Sequence, residues 1–327
     1  MTWELRWHPF RAEWVLLTSH RGARPWHGKV EDEVKPVIPA DNALGPLGHR
    51  IASVNPDYRG VFVFTNDLPV FSPESPEPSA GDDVYMTRRA GGTAEVVCYH
   101  HDPTKTIADL DDDEATAVID AWRDRTVVLQ ALDEVQHVLI FENRGAAVGT
   151  SNPHPHCQIY AGSLVYGTMA REAEVAIEHR RRTGHSILQD VLDRELAGPR
   201  VVVANEQFVA CVPWFARFAY EVVVLPRRPV TSLIDLDEGA RRCLALVLRE
   251  VVRRYDALWG IQMPYVMAVH QAPVGHHPDY PFHVEFHPPL RAPSLLKYLA
   301  GPEVGGGSMT NESDPDEKAR ELRDAFA

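Results

Sequence analysis

The segment GTSNPHPHCQ, residues 149–158, places two histidines and a glutamine at every second position. Alternate side chains of an extended strand point to one face, so His154, His156 and Gln158 are predicted to lie together. The prolines at 153 and 155 remove two backbone donors and stiffen the segment. A neutral imidazole held in this way keeps one acceptor nitrogen, which can attack phosphorus. Two hydrogen-bonded surface histidines beside prolines are the alternative interpretation.

A second strand of the same kind lies 129 residues further along the chain (283 − 154). The segment HVEFH, residues 283–287, again alternates polar and apolar residues. Upstream of the two segments, the strand signal of residues 95–98 recurs at 221–224, an offset of 126 (221 − 95). The same order of elements at a nearly constant offset indicates an internal duplication of a unit of about 130 residues.

A helix signal follows each of the repeated strands. Asp111 and Asp237 have the residue type and the position of helix N-caps, and apolar residues then recur at helical spacing. We therefore predict an α+β fold of two tandem halves, residues 1–190 with the His156 segment and residues 191–327 with the second strand. A proline-rich stretch at residues 69–83 and a glycine-rich stretch at residues 301–317 are predicted loops. A helix is predicted at the end of the chain, over residues 317–326.

The composition favours an acidic intracellular enzyme. The chain has 327 residues, a formal net charge of -13 and four cysteines. An acidic chain repels a nucleic-acid backbone, so we expect no nucleic-acid partner. The cysteines form no Cys-x-x-Cys pair, which argues against a disulfide framework or a cysteine zinc site. The N-terminus shows no apolar signal region, and no apolar run approaches the ~20 residues that cross a bilayer. We therefore expect a cytoplasmic protein with no membrane partner.

Several motifs resemble the galactose-1-phosphate uridylyltransferase family, which is part of the histidine-triad superfamily. The resemblance extends from about Arg21 to Phe326 and implies two histidine-triad-like halves with mostly antiparallel sheets. That implication agrees with the internal duplication. The similar motifs occur in the family's order: RGARPW at 21–26, NPDY at 55–58, VFTND at 63–67, FENRGAA at 141–147, SNPHPH at 151–156 with Gln158, and Phe282-His283 with Phe286 and PPL at 288–290.

The resemblance implies roles for individual residues. His156 would be the nucleophile that becomes uridylylated, the carbonyl of His154 would orient it, and Gln158 would donate its amide to a phosphoryl oxygen. Glutamine cannot protonate a leaving group, which suits a sugar phosphate that leaves as a stable anion. Taken one at a time, the other implied residues could also be solvated charges or turn residues. They are assigned to the substrates: Asn143, Ser151, Arg21 and Arg24 to phosphates, Asn66 and Asp67 to uridine, and Lys297 and Glu303 to the hexose phosphate.

Many family members hold a zinc ion with a Cys-x-x-Cys pair, a further histidine and the first histidine of the His-Pro-His motif. The matching positions here are Asp41, Leu44 and Pro103. Leucine and proline offer no ligand, so we expect this zinc site to be absent. Three nearby histidines are the groups that would have to rebuild it: His49, His100 and His101.

A second family metal site uses a glutamate and three histidines. The matching positions are Glu172, His270, His283 and Glu285, with glutamate in the place of the last histidine. A carboxylate also binds zinc or iron, so we expect one structural Zn or Fe per chain and no organic cofactor. A hydrogen-bonded polar cluster without metal is the alternative.

The reaction implied by the resemblance is a double displacement. UDP-glucose would give UMP to His156 and release glucose 1-phosphate, and galactose 1-phosphate would then accept the UMP. Two alternatives remain: a related enzyme such as a phosphorylase that acts on ADP-glucose, and a non-catalytic nucleotide or metal sensor. The family also implies a homodimer whose active sites are shared across the interface.

Overall fold

The computed structural model describes residues 2–23, 37–38 and 41–326. The fold is α+β, as predicted, with α-helices packed on a large antiparallel sheet. Within the described ranges no helix has the length and apolar character needed to cross a membrane. The strands and helices follow one another in this order: β1 (Trp3–His8), β2 (Glu13–Thr18), β3 (Phe62–Thr65), β4 (Gly92–Cys98), α1 (Asp112–Gln130), β5 (His137–Arg144), β6 (His156–Gly162), α2 (Gly167–Thr183), α3 (Ile187–Leu196), β7 (Val201–Ala204), β8 (Phe208–Cys211), β9 (Val222–Pro226), α4 (Glu238–Trp259), β10 (Tyr265–His270), β11 (His283–His287), β12 (Leu290–Ala292), β13 (Leu295–Leu296), β14 (Thr310–Asn311) and α5 (Pro315–Asp324).

One sheet carries both halves of the protein. Its strand order across the described residues is β3-β4-β6-β5-β10-β11-β9-β8-β7. The order β4-β6-β5 of the first half therefore returns in reverse as β10-β11-β9, which is what two copies related by an approximate twofold axis produce. The copies meet where β5 pairs with β10, with Phe141 opposite Ala268. This arrangement confirms the duplication. The predicted boundary at residue 190 falls inside α3 and stays a prediction.

The helices that follow the repeated strands, α1 and α4, pack against each other and against one face of the sheet. Their buried side chains, among them Trp122 and Tyr255, join the strand residues in one apolar core. Both predicted N-caps are confirmed. The carboxylates of Asp111 and Asp237 accept hydrogen bonds from backbone N–H groups in the first turn of their helices.

The polar strands present their functional side chains on the opposite face. Cys157 of β6 faces the helices, because Nε1 of Trp122 donates to its Sγ at 3.1 Å. Side chains alternate along a strand, so the neighbouring His156 and Gln158 face away from α1 and α4. In β11 the apolar residues belong to the same core, and its polar residues therefore face away as well.

Three predicted boundaries are wrong in detail. The strand begins at His156, so His154 precedes it; Pro155, between them, has no N–H for the sheet. The predicted loop at 301–317 contains the short strand β14, which pairs in parallel with β2. The last helix begins at Pro315, because proline is favoured in a first helical turn. Pairing between opposite ends of the chain leaves no local signal in the sequence.

Replacing the N-cap of α1 tests the helix assignment. Asp111→Ala removes the acceptor for two N–H groups and should lower the free energy of unfolding by about 1 kcal/mol. Urea denaturation followed by circular dichroism measures the change. Asp124→Ala, in the exposed middle of the same helix, is the control and should change stability by less than about 0.5 kcal/mol. Equal losses in the two variants would contradict the capping role.

Candidate active site

His156 is the first residue of β6, a strand with neighbours on both sides. It lies opposite Cys98 of β4, and two residues further on, Gln158 lies opposite Phe141 of β5. Hydrogen bonds to both neighbouring strands fix the backbone of β6, so they also fix the direction in which the imidazole leaves the sheet.

The imidazole of His156 has a defined tautomer. Its Nδ1–H donates to the carbonyl oxygen of His154 at 2.7 Å, which leaves Nε2 without a proton. Burial lowers the pKa of His156 below its usual value of 6.5, although the hydrogen bond to His154 works in the other direction. The ring is therefore neutral at pH 7. A neutral ring with a bare Nε2 is the form that can attack phosphorus.

The ring of His154 is fully buried and is fixed at both nitrogens. The side-chain amide of Asn42 donates to Nδ1 at 2.9 Å. Nε2–H donates to the carbonyl of His100 at 2.8 Å, and the hydroxyl of Tyr58 is 3.3 Å from the same nitrogen. The sequence indicated no contact of Asn42 or Tyr58 with His154. Asn42, for example, is 112 residues from His154 and lies in no recognisable motif.

A cavity of about 270 Å³ opens beside His156. Asn143, near the end of β5, and Thr150, in the loop between β5 and β6, line it. Gly145 in this loop has φ of 90°, and a Cβ there would lie 2.9 Å from the Cβ of Pro264. Glycine therefore lets the loop turn and pass close to Pro264 before it leads to His156.

The other predicted phosphate and uridine residues lie around this strand. Ser151 is exposed on the loop, and Gln158 shares the face of His156. Asn66 and Asp67 follow β3, at the edge of the sheet. The carboxylate of Asp67 already accepts hydrogen bonds from Nη1 of Arg50 at 2.9 Å and from a backbone N–H at 2.8 Å.

The predicted hexose-phosphate residues occupy a different place. Arg21, Lys297 and Glu303 line a second cavity of about 620 Å³, and none of them lines the cavity at His156. Nζ of Lys297 is 3.0 Å from Oε1 of Glu303, and Nε of Arg21 is 3.2 Å from Oε1 of Glu312. Arg24 lies outside the described residues.

The predicted metal residues come together beside the second polar strand, from α2, β10 and β11. Glu172, His270, His283 and Glu285 are buried, and each offers a ligand atom within 4.8 Å of the others. Nδ1–H of His283 donates to the carbonyl of Pro281 at 2.5 Å, and Nε2, 3.2 Å from Oε1 of Glu285, is the atom that would bind an ion. Two imidazoles and two carboxylates are a donor set that suits zinc or iron, and the residues fit such an ion.

Two arginines that the sequence did not predict close this cluster. Nη2 of Arg11 is 2.5 Å and Nη2 of Arg217 is 3.0 Å from Oε2 of Glu285. Burial raises the pKa of Glu285, but the charges of Arg11, His270 and Arg217 outweigh burial and hold it well below 4.5. The arginines thus balance the carboxylate that stands in the place of a histidine. Arg11 is 274 residues away in sequence, so no local pattern connects the two.

The residues at the family's zinc position do not fit that ion. Asp41, His49, His100 and His101 belong to neither of the possible metal groups among the described residues. The ring of His100 instead accepts the backbone N–H of Asp102 at Nδ1 and lies 3.2 Å from Glu114. Both ring nitrogens of His154 also have partners already.

Comparison with known proteins identifies the family of this chain. The family model "Galactose-1-phosphate uridyl transferase, N-terminal domain" matches residues 2–165, and the corresponding C-terminal domain model matches residues 172–325. The galactose-1-phosphate uridylyltransferase of Haemophilus influenzae is 36% identical over 310 residues, which cover 92% of this chain and 88% of that protein. The Rattus norvegicus enzyme is 34% identical, with 98% and 86% covered.

Solved structures of other proteins have a similar fold over nearly the whole chain. A uridylyltransferase structure has a TM-score of 0.82 at 27% identity, covering 99% of this chain and 98% of that chain. An ADP-glucose phosphorylase from Arabidopsis thaliana, with bound ADP-glucose, has a TM-score of 0.80 at 20% identity and the same coverage, a likeness of fold alone. Both domain matches and more than 30% identity along nearly the whole chain show that this protein belongs to the galactose-1-phosphate uridylyltransferase family of enzymes.

Proposed function

We propose that this protein transfers UMP from UDP-glucose to galactose 1-phosphate by two successive displacements at His156. The observation that supports this most is the hydrogen bond from Nδ1–H of His156 to the carbonyl of His154, which leaves a bare Nε2 beside a cavity. The names of the relatives, galactose-1-phosphate uridylyltransferases, support the substrate class.

In the first displacement, Nε2 of His156 attacks the α-phosphorus of UDP-glucose. A nitrogen–phosphorus bond forms, and the bond from phosphorus to the bridging oxygen breaks. Glucose 1-phosphate leaves with that electron pair as a stable anion, so no proton donor is required. Gln158 suits this step because its amide donates a hydrogen bond but no proton. The ring becomes positive, and the carbonyl of His154 stabilises it through Nδ1–H.

In the second displacement, a phosphate oxygen of galactose 1-phosphate attacks the same phosphorus. The nitrogen–phosphorus bond breaks, its electron pair returns to Nε2, and UDP-galactose leaves. Asn143, on the wall of the cavity, and Ser151, on the loop above it, would hold phosphoryl oxygens in both steps. His156 ends in its starting tautomer, because the proton on Nδ1 never leaves its bond to His154.

We further propose that a second copy of the chain completes each active site. Arg21, Lys297 and Glu303, which the resemblance assigns to phosphates, line a cavity separate from that of His156 in the same chain. A homodimer with shared sites would place them against the partner's nucleophile. Asn66 and Asp67 would then meet uridine at the sheet edge.

The proposed metal is one zinc or iron ion per chain, held by Glu172, His270, His283 and Glu285. No step of UMP transfer uses it. An ion that binds only the native arrangement adds its binding free energy to folding, so its contribution would be to stability.

Replacing the nucleophile tests the mechanism. His156→Ala should reduce turnover by a factor on the order of 10⁴ or more, since no nearby group can replace the covalent step. Wild-type protein incubated with UDP-glucose labelled in its α-phosphate should keep the label when denatured at high pH and lose it in acid, as a phosphoramidate does. His185→Ala, a change to an exposed histidine, is the control and should behave as wild type. Near-normal turnover in His156→Ala would refute the covalent step.

The same experiment separates the candidate substrates. Labelled ADP-glucose should leave the wild-type protein unlabelled, and steady-state plots with UDP-glucose and galactose 1-phosphate should be parallel lines. Labelling by ADP-glucose and not by UDP-glucose would identify the related phosphorylase activity instead.

The rate of labelling should decrease at acidic pH. Protonation of Nε2 blocks the attack, and burial lowers the pKa of His156 below 6.5. The single-turnover rate constant should therefore stay constant from pH 8 to pH 6.5 and decrease only at lower pH. Rapid-quench measurement of the labelled protein gives this profile. A midpoint above pH 6.5 would contradict the neutral, buried nucleophile.

The metal proposal predicts about one equivalent of zinc or iron in freshly purified protein, measured by elemental analysis. Chelation should lower the melting temperature more than it lowers turnover, because the ion stabilises the fold. Glu172→Gln should reduce the metal content, whereas His179→Ala, on the same helix but outside the cluster, should retain it. Metal-free protein with unchanged stability would mean that hydrogen bonds and the two arginines alone hold the cluster.

A further inference from the structure

The ring of His154 has no nitrogen left for a metal ion. By resemblance, this is the position from which a family member contributes a histidine to zinc. Here Nδ1 accepts a hydrogen bond from the amide of Asn42 at 2.9 Å, and Nε2–H donates to the carbonyl of His100 at 2.8 Å. A neutral imidazole has one acceptor and one donor nitrogen, so both are in use.

Both the nitrogen and the oxygen of the Asn42 side-chain amide form hydrogen bonds. Its Oδ1 accepts the backbone N–H of Leu44 at 3.2 Å and the side-chain amide of Asn152 at 3.3 Å. Asn152 in turn accepts the backbone N–H of His154 at 2.9 Å. The ring and the backbone of His154 are therefore tied into one closed network. We call the residues of this network the His154 cage: Asn42, Tyr58, His100 and Asn152.

The cage reaches the nucleophile through the backbone. The carbonyl of His154 accepts Nδ1–H of His156 at 2.7 Å. Pro155 follows His154, and its fixed φ and missing N–H leave that peptide few alternative orientations. A rotation of His154 would turn the carbonyl away and free His156 to carry its proton on either nitrogen. Molecules in the other tautomer would lack a bare Nε2, and the positive ring formed in the first displacement would lose the carbonyl that stabilises it.

We propose that Asn42 is a positioning residue for UMP transfer, which fixes His154 by a donated hydrogen bond where the resemblance places a zinc ion. The inference rests on the proposed role of His156. A donor is required at position 42, because Nε2 of His154 carries the ring proton and Nδ1 presents a lone pair. An aliphatic side chain of similar volume at this position has no group that can bond Nδ1 of His154.

Asn42→Leu keeps nearly the same side-chain volume and removes the donor, so it separates hydrogen bonding from packing. We expect label transfer from UDP-glucose to His156 to slow by about 10- to 100-fold, as is typical of groups that orient a reactive ligand. KM for UDP-glucose should stay within about twofold, because Asn42 contacts His154 and Asn152 from behind and does not itself line the cavity.

Asn205→Leu is the matched control. Like Asn42, Asn205 donates one side-chain hydrogen bond, to the carbonyl of Cys243, and accepts two, but it lies in the turn between β7 and β8. This variant should lose stability without slowing label transfer. Equal slowing in both variants would overturn the proposal, because it would show a general effect of a destabilised fold.

A second measurement needs no substrate. Long-range ¹H–¹⁵N NMR of the imidazoles reports which ring nitrogen carries the proton. Wild-type His156 should carry it on Nδ1, and Asn42→Leu should show a mixture of tautomers. An unchanged Nδ1–H tautomer together with a wild-type labelling rate would overturn the positioning role. If UDP-glucose fails to label even the wild type, the proposed function fails, and the tautomer of His156 still decides the role of Asn42.

Discussion

The hydrogen bond from Nδ1–H of His156 to the carbonyl of His154 is the interaction on which the site depends. It determines the tautomer, and the tautomer determines whether Nε2 has a lone pair for phosphorus. The surrounding structure fixes both the donor, His156, and the acceptor, His154. The inner position of β6 fixes His156, and the cage fixes His154. Pro155, the residue between them, restricts the backbone that joins them through its fixed φ.

The duplicated sheet explains why one chain has two polar clusters. Strands β6 and β11 occupy equivalent positions in the reversed order β4-β6-β5-β10-β11-β9. Both direct their polar residues away from α1 and α4. The first copy has His156 there, and the second has the group that fits a metal ion. The two halves thus share an architecture, while the residues on equivalent strands have diverged to different chemistry.

The cluster around Glu285 shows how far the sequence alone could lead. Its four metal candidates were predicted by resemblance, and the structure brings them together. The sequence did not indicate that Arg11 and Arg217 contact Glu285, because such contacts depend on the tertiary fold. The contact of Asn42 with His154 could not be predicted for the same reason. The N-caps Asp111 and Asp237 could be predicted, because capping acts within one helical turn. A buried carboxylate also needs these cations, since a lone buried charge destabilises a protein by several kcal/mol.

The groups around His154 have a consequence for how the active site matures. Amides, a phenol and a backbone carbonyl surround this histidine, and all of them come with the polypeptide itself. None is a thiolate, so none is open to the oxidation that inactivates cysteine ligands. The orientation of His156 is therefore set by groups of the chain, with no ion at His154. An ion in the cluster around Glu285 would add to the stability of the fold, but it would not take part in positioning His156.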